Sequence, residues 1–335
     1  MTGIQTPSIG DVARAAGVST ATISRAINDP DKVAKSTRER INAAIEALGY
    51  TPHFGARAMA SSRFKTVGAV IPTMANAMFA SGMQAFQEAL SEAGVTLLVA
   101  TTGYDPQAEL RQIRALMTQG ASGLMLIGTE RPEETSRFLA LRNVPHVKAW
   151  TTGAADEGLF AGFDNRRAAQ AMTDKVLDMG HRKIAMIAGV SAGNDRVSER
   201  IAGVRGAVAA RDGAELVALA EAPYLLDPAG DAFDTVWAAR PTAIIGGSDV
   251  LAAGAVVRAR QMGVAVPDDV SVTGFDDIGL SLVCHPALTT VRVPQFEMGR
   301  AAAAILLARL AGKPAESALF ETQIIERGSL APPRS

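Results

Sequence analysis

Nine short apolar runs alternate with helix-like stretches through most of this 335-residue chain, and that alternation leaves few folds open. The runs recur about every 25–30 residues, with amphipathic stretches such as 79–93 and 105–119 between them. This pattern predicts βαβ units and parallel sheets, and so many strands fit two α/β lobes better than one sheet. The runs are Val67–Ile71, Thr96–Thr101, Gly123–Ile127, His146–Trp150, Leu159–Phe163, Lys183–Ala188, Glu215–Leu219, Ala243–Gly246 and Ser271–Phe275.

The first 50 residues have a different pattern, which predicts three short helices. Ser8 and Ser36 each precede an acidic residue by three positions, the spacing of a capping box, and Ser19 can cap a helix between them. The predicted helices span 9–16, 20–27 and 36–48. Because only Gly17, Val18 and Ser19 join the first two, this pair has the spacing of a helix-turn-helix motif.

In a helix-turn-helix motif the second helix enters the major groove of DNA. Thr20 and Ala21 would then meet base edges and Arg25 would project from the same helix, whereas Ser19 and Ser24 would contact phosphate near the helix N-terminus. A generic helical hairpin fits the same spacing, so the spacing alone leaves DNA binding open.

The formal charge of −1 conceals two unlike segments. Residues 1–65 contain nine Lys or Arg against five Asp or Glu, whereas the remainder contains 24 against 29. A basic N-terminal module on an acidic body indicates that any contact with nucleic acid is confined to the N-terminal module.

Several classes of protein are disfavoured. One cysteine, Cys284, excludes a disulfide framework, and the four scattered histidines predict no metal site. No P-loop, G-x-S-x-G elbow or G-x-G-x-x-G fingerprint indicates an enzyme or a bound cofactor. With neither a signal-peptide pattern nor an apolar run of membrane-spanning length, we expect a cytoplasmic protein without a membrane partner.

Polar residues follow the predicted strands at their carboxyl ends, where ligands bind in open parallel sheets. Among these residues, carboxylates can accept hydrogen bonds from the hydroxyl pairs of a sugar, and an aromatic ring can stack on the sugar. Arginines can bind a ligand carboxylate. The predicted ligand is therefore a sugar or a sugar acid. The candidate ligand-binding residues are Phe79, Asp164, Arg196, Arg200, Ser248 and Asp276.

Each of these residues also fits a structural role. Asp164 and Ser248 could cap the helices that follow them, and Phe79 could belong to a core. Arg200 could form an exposed pair with the preceding glutamate, and Asp276 could form an Asx-turn.

Two sets of residues resemble the lactose/galactose repressor (LacI/GalR) family. DVARAAGVSTATISRAIND followed by STRERINAAIEALGYTPHFGARAMA resembles the family's DNA-binding headpiece, including its G-Y-x-P junction. GFDNRRAAQAMTDKVLDMGHRKIAMIAG, RIAGVRGAV and SDVLAAGAVVRARQMGVAVPDDVSVTGFDD resemble its effector domain, which is similar to periplasmic sugar-binding proteins. The resemblance implies an all-α headpiece at 1–51, a hinge at 52–64 and a two-lobed effector-binding and dimerisation body at 65–335.

The resemblance also implies roles for individual residues. Thr20, Ala21 and Arg25 would read bases, and 52–60 would form a hinge helix in the operator minor groove. Met59 stands where the family usually has a leucine that wedges between base pairs, and an apolar methionine can do the same. His53 stands where the family often has asparagine, which makes it another candidate DNA contact.

In the body, the resemblance implies effector contacts at Phe79, Asp164, Arg200, Ser248 and Asp276. The first lobe would comprise 65–162 with 293–315, and the second 163–292 with 316–330. The stretches NAMFASGMQAF, GYDP and GFDN are closest to gluconate-type repressors.

These observations together predict a ligand-controlled transcriptional repressor that binds a palindromic operator as a homodimer. The tail IIERGSLAPPRS has no leucine heptad of the kind that makes tetramers. A purine-type repressor that requires a corepressor stays open as an alternative, and a free solute-binding protein or an enzyme fits the sequence less well.

Overall fold

A computed structural model describes residues 7–50, 66–75, 77–153 and 158–334 of the chain. The chain divides into two compact units, Met1–Phe64 and Lys65–Ser335. The predicted hinge at 52–64, with His53 and Met59, lies outside the described residues.

The described part of the N-terminal unit, residues 7–50, contains three α-helices around a small core. They are α1 (Ile9–Ala16), α2 (Thr20–Asn28) and α3 (Lys35–Leu48). The amphipathic spacing of each helix turns its apolar side inward. The core residues are Val12, Ala13, Ala16, Ile23, Ile41, Ala44 and Tyr50.

The predicted capping of these helices is confirmed at α1 and wrong at α3. The Ser8 amide donates to Asp11 Oδ2 at 2.9 Å, and the Asp11 amide donates to Ser8 Oγ, which completes a capping box. Helix α3 instead begins at Lys35 with Ala34 as its N-cap, without a side-chain cap. Ser36 therefore lies inside the first turn, beyond the position from which its hydroxyl could cap the helix.

All nine predicted strands form in the body, together with three short ones near the C-terminus. The predicted run His146–Trp150 ends one residue early because Trp150 has a left-handed φ of 58°. The strands are β1 (Thr66–Ile71), β2 (Thr96–Thr101), β3 (Leu124–Ile127), β4 (His146–Ala149), β5 (Phe160–Gly162), β6 (Lys183–Ala188), β7 (Glu215–Glu221), β8 (Ala243–Gly246), β9 (Ser271–Asp276), β10 (Thr289–Arg292), β11 (Ala318–Leu319) and β12 (Gln323–Ile325).

Helices connect most of these strands, as βαβ units require. Those of the body are α4 (Ala80–Glu92), α5 (Pro106–Thr118), α6 (Glu133–Leu141), α7 (Asn165–Asp178), α8 (Asp195–Ala209), α9 (Leu226–Trp237), α10 (Asp249–Gln261), α11 (Gly279–Val283) and α12 (Gln295–Leu310). Within the described part of the chain, every helix is too short or too polar to span a lipid bilayer.

The strands form two six-stranded sheets. The first has the order β11-β5-β4-β3-β1-β2 and the second the order β12-β10-β9-β8-β6-β7. The pairs are parallel except for β10 with β12. We call the first sheet with its helices the first lobe and the second sheet with its helices the second lobe. Strand β11 pairs with β5 in the first lobe, although it lies in the range 316–330 that was predicted for the second.

Helix α12 returns the chain to the first lobe, where it packs against α4, β4 and β5. Gly299 of α12 faces the backbone of Gly82 in α4, so closely that a Cβ at Gly299 would meet the Gly82 carbonyl. This contact between glycines explains how two helices rich in small residues can pack at short range.

Candidate functional site

Helix α2 presents the predicted base-reading residues to solvent. Thr20, Ala21 and Arg25 are exposed, whereas Ile23 on the opposite side is fully buried. Ser19 caps the helix, because its Oγ accepts from the Thr22 amide at 3.2 Å. No ion pair among the described residues involves Arg25, so its guanidinium is available to a partner such as a guanine edge.

The remaining predicted residue of this motif, Ser24, is partly buried on α2. The amide groups in the first turn of α2 also point outward from the capped end, which favours a nearby phosphate.

Arg200 is the central side chain of the predicted ligand site in the body. It lies on α8 with 3% exposure, and its guanidinium stands over the Phe275 ring, 3.8 Å from the centroid. Its Nε donates to Asn165 Oδ1 at 2.9 Å, and its Nη1 donates to the Gly247 carbonyl at 2.7 Å. These bonds bring together the carboxyl ends of β5, β6, β8 and β9, as predicted for a parallel sheet. The alternative of an exposed pair with Glu199 is wrong, because Arg200 is buried.

Asp276 faces Arg200 from the end of β9. Its Oδ1 lies 3.7 Å from Arg200 Nη2, which is an ion pair but too long for a hydrogen bond. This buried oxygen has no hydrogen-bond partner among the described residues. Burial raises the pKa of Asp276 to about 8, against the opposing effect of Arg200. A buried acceptor and an adjacent guanidinium group with spare donors can together bind a polar ligand.

Arg196 has a partner within the protein. It lies one helical turn before Arg200, and its Nη1 donates to Asp195 Oδ1 at 2.8 Å. The Asp195 Oδ2 accepts from the amide and hydroxyl of Thr129, at 2.9 and 2.8 Å, and from Thr151 Oγ1 at 3.1 Å. Since both threonines follow strands of the first sheet, Asp195 connects the two lobes.

The charge state of Asp195 follows from these contacts. Burial alone would raise the pKa of Asp195, but the Arg196 guanidinium and the hydrogen bonds from Thr129 outweigh it and hold the pKa below its ordinary value. Gly128 is required beside this pair, because its φ is 77° and a Cβ there would meet both Arg196 and Asp195.

Asp164 and Ser248 both cap helices. Asp164 is exposed, and its Oδ1 accepts from the Arg167 amide at 2.9 Å. The next residue, Asn165, reaches Arg200 instead. Ser248 is buried and its Oγ accepts from the Leu251 amide at 3.2 Å, directly after the Gly247 carbonyl that binds Arg200.

Phe79 is also buried, with 3% exposure. Its ring meets Trp150 edge-on, with 5.4 Å between centroids. The carbonyl of Trp150 accepts from Asn165 Nδ2 at 3.0 Å, which connects this aromatic pair of the first lobe to the polar residues around Arg200.

Three further residues near this cluster were not predicted from the sequence. Tyr104 follows β2 and Tyr224 follows β7, and their ring centroids are 5.7 Å apart. Tyr104 Oη and Asn194 Oδ1 are buried without hydrogen-bond partners in the described ranges, and burial raises the pKa of Tyr104. Both tyrosines follow strand ends, so the rule that selected Asp276 could have found them.

Family models match both parts of the chain. The model for bacterial regulatory proteins of the lacI family matches residues 8–53, and that for a periplasmic binding protein-like domain matches residues 173–330.

Three curated relatives match nearly the whole chain. The HTH-type transcriptional repressor CytR of Escherichia coli (strain K12) is 30% identical over 95% of each chain. The repressor PurR of Vibrio cholerae is 33% identical over 96% of this chain and 97% of its own length. The regulator GntR of Pseudomonas aeruginosa is 32% identical over 92% and 90%. These relatives are named as transcriptional regulators.

Solved structures agree with the fold. A transcription regulator GntR from Chromobacterium violaceum aligns with a TM-score of 0.75 and 29% identity, over 79% of this chain and 99% of that one. A lac repressor dimer bound to operator aligns with a TM-score of 0.81 and 22% identity, over 98% of this chain and all of that one, which supports the fold alone. With a helix-turn-helix unit, a two-lobed body and relatives that are 30% identical or more over at least 90% of each chain, this chain belongs to the lacI family of bacterial regulatory proteins and is a DNA-binding transcriptional repressor.

Proposed function

We propose that the repressor binds a palindromic operator as a homodimer and reads its sequence through α2. The exposed Thr20, Ala21 and Arg25 are the base-reading residues, and Ser19 and Ser24 contact phosphates. A two-fold dimer places two such helices on two half-sites. The related lac repressor, solved as a dimer on operator, supports this assembly. His53 and Met59 complete the set of DNA contacts.

The effector in this proposal is a small carbohydrate that binds between the lobes, preferably a sugar acid such as gluconate. The observation behind it is the buried Arg200, whose Nη2 stands 3.7 Å from Asp276 and keeps its hydrogen-bonding capacity for a ligand. A carboxylate can bind there, while the free Oδ1 of Asp276 accepts from a ligand hydroxyl. Arg196, Ser248, Asp164 and Phe79 are the other proposed contacts.

A purine-type corepressor is the second candidate. The close contact of Tyr104 and Tyr224 favours it, since aromatic rings bind planar bases by stacking. Relatives named PurR and CytR are as similar to this chain as the relative named GntR.

Control of DNA binding requires the effector to favour one arrangement of the lobes. The carboxylate of Asp195 and the threonines that bind it change partners if the lobes separate, so this contact differs between open and closed arrangements. By linkage, an effector that changes operator affinity must have its own affinity changed by the same factor when operator is bound.

A screen by thermal shift tests the effector class. D-gluconate, D-galactonate, D-glucose, D-ribose, adenosine, cytidine and hypoxanthine are added to the full-length protein. A ligand at about 100 times its Kd adds about 2.7 kcal/mol of stability, which such a screen detects. We expect stabilisation by an aldonate, and stabilisation by a nucleoside or base alone would select the corepressor alternative.

The effect on DNA is then measured with an operator selected from random sequence by the full-length protein. Fluorescence anisotropy gives the operator Kd with and without the stabilising compound. An operator Kd that no compound changes would contradict ligand control, whereas failure to select any preferred sequence would contradict operator recognition.

A further inference from the structure

The turn that carries Asp276 has an unusual backbone. Asp276 and Asp277 are consecutive residues with left-handed φ values of 106° and 54°. Residues other than glycine rarely adopt such values, and they persist where surrounding contacts enforce them. The next residue, Ile278, then precedes the short helix α11.

One enforcing contact comes from α10. Asp249 is fully buried at the start of that helix, directly after Ser248. Its Oδ2 accepts from the Ile278 amide at 2.8 Å, and its Oδ1 accepts from Thr290 Oγ1 at 2.5 Å. The carboxylate therefore fixes the backbone just after the left-handed pair and ties it to β10.

A second contact comes from the segment after β12. Arg327 Nη2 donates to Asp277 Oδ1 at 2.6 Å, while its Nη1 donates to the Leu288 carbonyl at 2.8 Å and to Ser281 Oγ at 3.0 Å. Arg292 Nε donates to the other oxygen of Asp277 at 2.7 Å. Asp277 is thus held from both sides and cannot turn toward Arg200 in place of Asp276.

We propose that Asp249 and Arg327 are positioning residues, which hold the left-handed turn so that the Asp276 carboxyl faces Arg200 and the ligand site. The functional role of this arrangement rests on the proposed function, in which Asp276 contacts the effector. The arrangement itself is supported by the two φ values and by the five hydrogen bonds that the side chains of Asp249 and Arg327 make.

The structure explains why the turn needs support from outside. The Asp276 Oδ1 has no hydrogen-bond partner among the described residues, so no hydrogen bond at this oxygen helps to hold the side chain against Arg200. The charged and titratable groups around it are Arg200 on α8, Asp249 on α10, and Tyr104 and Tyr224 after β2 and β7. A relaxed turn would let Asp276 move toward water and away from Arg200.

The test uses the full-length protein without ligand. Two signals are followed, the hydrogen exchange of the Ile278 amide and the pH titration of the Asp276 carboxyl by ¹³C NMR. We expect Asp249→Ala and Arg327→Met to speed exchange at Ile278 by at least tenfold. Arg327→Met should also shift the Asp276 titration toward that of an ordinary aspartate, and this readout is taken from Arg327→Met alone because the Asp249 charge itself raises the pKa of Asp276. Arg327→Lys should restore part of both signals, because lysine keeps one donor for Asp277.

Arg334→Met is the matched control. Arg334 pairs with Asp268 at 2.7 Å on the exposed part of the same C-terminal segment, so its removal should change neither signal. Unchanged exchange at Ile278 and an unchanged Asp276 titration in Arg327→Met would overturn the positioning role. If Arg327→Met does not fold, Asp277→Asn, which weakens the same contact from the other side, takes its place with the same two outcomes.

Ligand binding separates this inference from the proposed function. Calorimetry with D-gluconate is carried out on Asp276→Asn, Arg327→Met and the double variant. If Arg327 acts through Asp276, its substitution weakens binding in the wild-type background and adds nothing in the Asp276→Asn background. Additive effects of the two substitutions on gluconate affinity would overturn the inference. If Asp276→Asn binds gluconate like wild type, the proposed effector site is contradicted, and the positioning role of Arg327 is then tested by the exchange and titration measurements alone.

Discussion

Asp195 Oδ2 lies 2.8 Å from Thr129 Oγ1, and this hydrogen bond joins a helix of the second lobe to a strand end of the first. The same oxygen accepts from the Thr129 amide and from Thr151 Oγ1. One carboxylate thus accepts hydrogen bonds from three donors of the other lobe.

Replacing Asp195 with alanine should open the cleft and destabilise the body. About 1–3 kcal/mol of stability is lost for each buried donor left without an acceptor. We expect a lower Tm and a larger radius of gyration by small-angle X-ray scattering. Glu215→Ala, at an exposed position of the second lobe, is the control. Wild-type scattering from Asp195→Ala would show that other contacts keep the lobes closed.

Replacing Arg25 with alanine should weaken operator binding by about 1–3 kcal/mol and relax the preference at one base pair. The reason is the loss of an exposed base-reading side chain from α2. Competition binding with operator variants measures both effects. Arg14→Ala on α1, whose side chain already pairs with Asp11 at 3.0 Å, should leave the sequence preference unchanged. Equal loss at all sequences from Arg25→Ala would instead indicate a phosphate contact.

Arg200→Met should abolish the response to effector without weakening operator binding. It removes the donors to Asn165 and Gly247 and leaves Asp276 without a cation. Each buried acceptor left without a donor costs about 1–3 kcal/mol, so DNA binding is measured well below the lowered Tm. Arg166→Met, which disrupts an exposed pair with Glu199, should change neither property. Retention of effector binding by Arg200→Met would refute the site.

Asp276 should make the protein less stable as pH rises. Its folded pKa of about 8 lies above the value of an unfolded aspartate near 3.8, so the folded state binds more protons between these values. The stability from protonation is complete below about pH 3.8 and disappears as pH rises through about 8. Asp249, whose burial raises its pKa to about 7, acts in the same direction.

The comparison of Asp276→Asn with wild type isolates the contribution of Asp276. Asparagine resembles the protonated acid, so the variant should gain Tm relative to wild type at pH 8.5 and differ little at pH 4. Thermal unfolding over this pH range provides the measurement. A Tm difference that is independent of pH would contradict the raised pKa.

The strand pattern could be predicted because the apolar runs recur at regular spacing between helix-like stretches. Strands β10, β11 and β12 were not predicted, since β10 contains a single apolar residue and β11 and β12 have only two and three residues. The prediction that Ser36 caps a helix was wrong because the spacing of a capping box does not specify at which residue the helix begins. The helix starts at Lys35, one residue before it.

The ligand cluster could be predicted in part, from the rule that ligands bind beyond the carboxyl ends of strands. That rule placed Arg200 and Asp276 in one cluster, and the structure brings them together. It could not choose between Asp164 and Asn165, because adjacent residues at a helix start point in different directions. Nor could it reveal that Arg196 faces Asp195, since this contact depends on where the other lobe lies.

The path of the chain between the sheets has a mechanical consequence. It crosses after β5, again before α12, and a third time between β11 and β12. Three chain connections prevent the lobes from separating, so rotation about these connections is the relative motion that costs the least energy. In the proposed function, a small molecule bound between the lobes would bias this rotation, and an ångström-scale change at Asp195 would become a larger displacement at the far end of each lobe.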